Sequence, residues 1–169
     1  MLKLDSPDRE PTISTITPFL WYDSQAEEAA RYYVSIFPNS RIGTITRYGA
    51  AGPGAEGSVM TVEFVLDGQA FIALNGGPHF TFNESVSFSI DCRSQAEVDE
   101  YWSRLSEGGE EGPCGWLKDR FGLSWQVNPA RLGELLGDPD RAKSQRVMAA
   151  MLKMKKIDIA ELERAAANS

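Results

Sequence analysis

Hydrophobic and polar positions follow two periods along this chain, and the same succession of periods occurs twice. Ile13 to Tyr22 is a run rich in β-branched and aromatic residues, which predicts a strand. Ser24-Gln25-Ala26-Glu27 then has the form of a capping box, in which the serine hydroxyl serves an amide further on while the glutamate reaches back. It opens a helical pattern to about Phe37 with Ala29, Tyr32, Tyr33 and Ile36 on one face, and Pro38-Asn39 ends it. Strand patterns follow at Arg41 to Tyr48, Ser58 to Leu66 and Gln69 to Asn75, with Asp67-Gly68 as the hairpin turn between the last two.

The second succession begins at Ser85 to Cys92, where Val86, Phe88 and Ile90 alternate with Ser85, Ser87 and Ser89. Ser94-Gln95-Ala96-Glu97 repeats the capping box and opens a helix to about Leu105, which buries Val98, Tyr101, Trp102 and Leu105 before Gly108-Gly109. Strands at Cys114 to Lys118 and Leu123 to Asn128 flank the turn Arg120-Phe121-Gly122, and Glu110-Glu111 is the place for a third. Gly122-Leu123-Ser124-Trp125 echoes Gly68-Gln69-Ala70-Phe71. A repeated strand, cap, helix and hairpin indicate duplication. The expected fold is α+β, with duplicated βαβββ modules forming a cupped mixed sheet. One such unit leaves a sheet face uncovered, so two pack together or exchange strands with a partner.

The expected boundaries are a disordered N-terminus over 1–11, a first module over 12–79, a second over 80–129 and a helical extension over 130–169. Within the extension, Ala130 to Leu136 is a helix ended by Gly137. Asp138-Pro139 reads as the N-cap and first-turn proline of a helix over Arg141 to Met154, with Val147, Met148, Met151 and Leu152 as its apolar stripe. Asp158 with Glu161 caps a last helix through Ala167.

Composition adds constraints. Of 169 residues, 42% are hydrophobic and 24% charged, enough apolar material for a core. A net charge of −7 disfavours nucleic acid and membrane surfaces as partners, since both are anionic. Lys153, Lys155 and Lys156 are a local exception and read as a solvated helix end. No apolar run approaches the roughly 20 residues that cross a bilayer. The polar stretch Met1 to Pro11 has no secretory pattern, so the expected compartment is the cytoplasm. There Cys92 and Cys114 are expected as free thiols.

Several segments resemble the vicinal-oxygen-chelate superfamily, the glyoxalase and bleomycin-resistance group, and within it the PhnB-like family also known as 3-demethylubiquinone-9 3-methyltransferase. They are Ile16-Thr17-Pro18-Phe19-Leu20-Trp21, Tyr32-Tyr33, Ile36-Phe37-Pro38-Asn39-Ser40 and Asn75-Gly76-Gly77-Pro78 with Phe80. Further matches are Ser87-Phe88, Asp99 with Tyr101-Trp102, Cys114-Gly115-Trp116-Leu117-Lys118-Asp119, Phe121-Gly122, Ser124-Trp125-Gln126-Val127 and the tail Met151 to Asp158. The resemblance implies a cupped pocket and a homodimer. It also implies a divalent metal held by His, Glu or Gln on the first and last strands of each half. At those positions this chain has Thr15 or Thr17, Ser85 or Ser87, Ile72 and Leu74, and only Gln126 keeps a donor. Neutral hydroxyls and one amide hold a transition metal poorly, so neither a metal centre nor another cofactor is expected. For the methyltransferase reading, the Gly-rich stretch Gly49 to Gly57 lies between two strands, not between a strand and a helix, and reads as a flexible lid or loop.

Candidate chemistry is thin. His79 is either a general base or a surface loop residue. Cys114, between Pro113 and Gly115, is either a reactive thiol or a small half-buried residue. Asp119-Arg120 and Asp91 read as turn residues, and Glu110-Glu111 as solvated. Phe19, Trp21, Phe71, Phe88, Trp116 and Trp125 fall on strands and either line a pocket or fill the core. The candidate ligand-binding residues are Thr17, Phe19, Trp21, His79, Ser87, Cys114, Trp116 and Gln126. Three function classes follow: a metal-independent binder of a small planar or apolar molecule, an enzyme (a metal-dependent lyase or dioxygenase, or the methyltransferase), or an interaction protein with a vestigial pocket.

Overall fold

Backbone pairing in the computed structural model, which describes residues 16–167, gives two four-stranded sheets of the same topology. The predicted disordered stretch 1–11 and the start of the first predicted strand, Ile13 to Thr15, lie outside the described residues. The chain divides into two compact units, Met1–Gly77 and Pro78–Ser169. Each runs strand, helix, then three strands, so the duplicated βαβββ α+β fold is borne out.

In unit 1, β1 (Phe19–Tyr22) pairs parallel with β4 (Gln69–Asn75), while β3 (Val59–Leu66) lies antiparallel between β4 and β2 (Arg41–Arg47). β1 is shorter than the alternation predicts because Pro18 has no amide to donate, although its carbonyl still accepts from Ile72 at 3.0 Å. The predicted β2 also loses Tyr48, which turns into the following loop. Helix α1 (Ala26–Ile36) buries Ala26, Ala29, Ala30, Tyr33 and Ile36, residues spaced to share one face. They cover Val62, Phe64, Leu66, Phe71 and Ala73 on the sheet. Tyr33 stacks on Phe64 and Phe64 on Phe71, with centroids 6.3 and 5.3 Å apart. Each such aromatic contributes roughly 1.5–3 kcal/mol by burial. Asp67 and Gly68 both have positive φ, the geometry of a tight hairpin turn.

The first capping box does not form. No side chain of its own segment caps α1. Instead Asn75 Oδ1, at the end of β4, accepts from the Ala26 amide at 2.8 Å, while Asn75 Nδ2 donates to the Val59 carbonyl at 3.1 Å. Tertiary packing brings a better cap than the local serine.

In unit 2 the order is β5 (Ser87–Cys92), β8 (Ser124–Pro129), β7 (Trp116–Lys118) and β6 (Glu110–Glu111), with β5 and β8 parallel. β5 begins after Ser85, whose amide turns to Asn83 Oδ1. β7 begins after Cys114 and Gly115, whose φ of 56° and 82° no strand accommodates. Helix α2 (Gln95–Ser106) keeps its cap: the Glu97 amide donates to Ser94 Oγ at 3.3 Å, and Glu97 reaches back to the Arg93 amide, one residue short of the box. Val98, Trp102 and Leu105 are its buried face.

Helices α3 (Ala130–Leu136), α4 (Arg141–Met151) and α5 (Ile159–Ala167) enclose a second cluster of Leu132, Leu135, Val147, Met154, Ile157 and Leu162. α4 departs from expectation at both ends. Its cap is Asp140, not Asp138; Asp138 pairs with Lys143. It ends three residues early, because Met154 turns inward to the cluster. Of the predicted stripe, Val147 and Met151 pack, while Met148 and Leu152 are exposed. Lys155 and Lys156 are exposed as expected, but they lie beyond the helix and pair with Glu111 and Asp99. The last helix is capped as expected, with the Glu161 amide donating to Asp158 Oδ1 at 2.8 Å. No helix among the described residues is long and apolar enough to cross a membrane.

Candidate functional site

Each sheet has one face under its helix and one face away from it, and the register assigns every strand residue to one or the other. In unit 1 the face away from α1 carries Phe19 opposite Ile72 and Trp21 opposite Leu74, then Thr61 and Glu63 on β3. Thr61 and Thr46 share a hydroxyl hydrogen bond of 2.6 Å across the sheet. Phe19 is exposed, whereas Trp21 is half-buried and donates from Nε1 to the Gly77 carbonyl at 2.8 Å. Predicted ligand residue Thr17 is exposed and precedes β1.

The corresponding face of unit 2 is polar. Ser87, Ser89 and Asp91 on β5 lie opposite Ser124, Gln126 and Asn128 on β8. Gln126 Nε2 donates to Ser87 Oγ at 2.9 Å, and Trp116 sits beside Gln126 in the register. Lys118 is opposite Ser124 and is paired with Glu84. That hydrogen bond holds the Glu84 carboxyl below its ordinary range and raises the Lys118 ammonium.

At the β6–β7 side of this sheet lies a cavity of about 400 Å³, lined by Glu84, Glu111, Cys114, Trp116, Lys118 and Ser124 among others. Its volume suits one small organic molecule. Ser124 is 1% exposed, and its hydroxyl has no hydrogen-bond partner among the described residues. A buried, unpaired hydroxyl costs about 1–3 kcal/mol, so such groups call for an account. Beside it Asp119, also buried, is fully engaged. Its Oδ1 accepts from the Phe121 and Leu123 amides, and its Oδ2 from Trp125 Nε1 at 2.8 Å.

Thus Cys114 and Trp116 share the cavity wall, Ser87 and Gln126 stand on the same sheet face, and Thr17, Phe19 and Trp21 belong to unit 1. His79 is exposed ahead of β5. Three of the aromatics weighed for a pocket serve the core instead: Phe71 and Trp125 are buried, and Phe88 lies against Trp125 with centroids 5.6 Å apart. Ser124 and Lys118 line the cavity, and sequence reasoning passed over both. Their period-2 spacing from Gln126 and Trp116 was the available signal. Asp119 is a turn residue as expected, and its buried side chain anchors the β7–β8 turn.

Both free thiols differ in setting. Cys92 is buried and Cys114 half-buried. Burial, with Glu97 and Asp91 nearby, pushes the Cys92 thiol up to about 12, which makes it inert.

A metal of the kind the superfamily uses does not fit these residues. β1 and β4 present Phe19, Trp21, Ile72 and Leu74, and on the polar face of β5 and β8 Asp91 is the sole acid among hydroxyls and amides. Among the described residues no three His, Cys, Asp or Glu side chains group so as to hold an ion. Nor does Gly49 to Gly57 make a phosphate cradle or a free lid. The loop folds over the buried Tyr48 ring, and a Cβ on Gly52 or Gly54 would come within 2.7 or 2.3 Å of it. Tyr48 Oη donates to the Asn75 carbonyl at 2.6 Å. Gly52 and Gly54 are there for close packing, and Gly57 for its positive φ of 81°.

A search of the curated proteins finds no match. The chain is similar to the PhnB protein from Bacillus cereus, with 35% identity over 69% of this chain and 99% of that one, at a TM-score of 0.62. Protein PA1353 from Pseudomonas aeruginosa is 23% identical over 68% of this chain and 96% of its own, at a TM-score of 0.57. The fosfomycin resistance protein FosX from Listeria monocytogenes is 17% identical over 70% and 94%, at 0.49. The profile of the family described as 3-demethylubiquinone-9 3-methyltransferase matches residues 14–128, more than half of the chain. With that match and the identity to PhnB, the chain belongs to this PhnB-like family.

Proposed function

We propose that the protein binds a small, planar, largely apolar molecule in the unit 2 cavity without a tightly bound metal. The observation that carries this reading is a cavity of ligand size walled by Trp116, Cys114 and Lys118 beside the short strands of unit 2. The Trp116 ring gives the bound molecule a flat apolar surface. Charge restricts the ligand further. Glu84, Glu110 and Glu111 line the cavity against Lys118 alone, so an uncharged molecule is favoured over an anion. Free Cys92 and Cys114 suit a reducing cytoplasm.

N-phenyl-1-naphthylamine is a suitable probe: neutral, aromatic and largely apolar. Its fluorescence should rise on binding. Trp116→Ala is expected to weaken binding about tenfold or more. Wild-type affinity in that variant would remove the cavity from consideration. Stoichiometric metal in purified protein would favour the metal-dependent enzyme instead.

A further inference from the structure

The cavity wall from Gly112 to Gly115 is held from outside the sheet. After α4 ends at Met151, residues 152–158 run as an irregular strap, with Met154 and Ile157 buried in the helical cluster. The Cys114 amide donates to the Met154 carbonyl at 2.8 Å, and the Gly115 amide to the Lys155 carbonyl at 2.7 Å. Both donors have positive φ, uncommon for a cysteine and kept only where neighbours fix it. At Gly115 a Cβ would lie 2.9 Å from both Asn128 Oδ1 and the Val127 carbonyl, and 3.2 Å from Ile157 Cγ1. The turn is therefore wedged between β8 and the strap.

The strap is gripped in turn by α2. Gln95 Nε2 donates to the Ile157 carbonyl at 3.0 Å, and Gln95 Oε1 accepts from the Ile159 amide at 2.9 Å. Lys156 pairs with Asp99, and Lys155 lies 3.7 Å from Glu111, itself a cavity residue. All of the strap lies beyond the residues that match the family profile, 14–128. A chain ending there would keep Cys114 and Gly115 but lose the acceptors of their amides.

We propose that the strap is a positioning element of the cavity: it sets the Cys114–Gly115 wall, so docking of the C-terminal helices and occupancy of the cavity are coupled. The coupling to occupancy rests on the reading of the cavity as the ligand site. Linkage makes it reciprocal, so a bound molecule also tightens the strap.

Hydrogen–deuterium exchange on the full chain tests this with and without N-phenyl-1-naphthylamine. Gln95 is away from the cavity wall, so Gln95→Ala loosens the strap without touching the probe. Exchange over 152–159 is expected to rise, and exchange over 112–116 to rise with it by about tenfold. The probe's dissociation constant should increase about fivefold. Trp116→Ala, by contrast, weakens the probe while leaving strap exchange at its wild-type value. A loosened strap with wild-type exchange over 112–116 overturns the proposal, and so does a loosened wall with unchanged probe affinity. If the wild type takes up no probe, the ligand reading fails alone, because wall exchange still reports the strap's action. Should Gln95→Ala not fold, Asp99→Asn removes the surface charge that pairs with Lys156 and also accepts from Gln95 Nε2 at 3.1 Å, and it is read the same way, with about a twofold rise.

Discussion

The two units share one topology and diverge in how far it is built out. In unit 1 the outer strands β2 and β3 are seven and eight residues long; in unit 2 their counterparts β6 and β7 are two and three. Long strands satisfy their own backbone and leave a continuous sheet. Short ones leave amides to be met elsewhere and open space beside the sheet. Unit 2 has the cavity at that shortened side, and carbonyls of the strap meet the amides. The face that carries aromatic and aliphatic residues in unit 1 carries hydroxyls and amides in unit 2. A duplicated module thus supplies a scaffold, and a cavity lies where the strands of one copy are short.

The sharpest way to break this comparison is at the equivalent hairpins. Asp67 and Asp119 both open the turn before the last strand of their unit. Asp67 is exposed, with its side chain meeting only Asn39 Nδ2 at 3.2 Å, and its turn is made by backbone geometry. Asp119 is buried and meets two amides and Trp125 Nε1. Asp119→Ala should cost about 3 kcal/mol, since it orphans buried donors that had a charged acceptor. Asp67→Ala should cost about 1 kcal/mol or less. Urea unfolding of both variants checks this; equal losses would show that the turns do not differ as described.

That contrast marks what the sequence conveys. Periodicity places β3, β4, β8, α1, α2 and α3 within a residue or two, because their buried faces are set by local spacing. Asp119 and Asp67 look alike in sequence, since composition around a turn does not report burial. The truncation of β7 follows from positive φ at Cys114 and Gly115, which depends on acceptors some forty positions away. The cavity was half legible. Trp116 and Cys114 were nameable from their segment, but Ser124 joins the cavity wall only through the pairing of β8 with β7.

Helix caps give a smaller test of the same difference. Ser24 and Ser94 are sequence equivalents, yet only Ser94 receives its N3 amide; α1 depends on Asn75 from β4. Ser24→Ala should change stability by less than about 0.5 kcal/mol and Ser94→Ala by about 1 kcal/mol. Asn75→Ala should cost about 2 kcal/mol, because it also frees the Val59 carbonyl. A loss at Ser24 equal to that at Ser94 would mean that both caps are local.

The smallest effect is read in pH, at the ends of the first strands. Tyr22 and Cys92 occupy matching positions, each the last residue of its strand and each buried. The Tyr22 hydroxyl lies 3.3 Å from the Tyr33 hydroxyl, whereas the Cys92 thiol, buried and 4.0 Å from the Ile90 carbonyl with two carboxylates near, is pushed up to about 12. Below the ordinary thiol pKa of 9.0 the group is protonated in both folded and unfolded chains, and its titration contributes nothing. Above that value only the unfolded chain ionises, so stability falls as pH rises towards 12, by about 1 kcal/mol at pH 10. Tyrosines and lysines titrate in the same range, so the informative quantity is the difference between wild type and Cys92→Ala. The variant should lose less stability between pH 8 and pH 10 than the wild type, and parallel curves would mean that the thiol is already ionised, or solvated, in the folded protein.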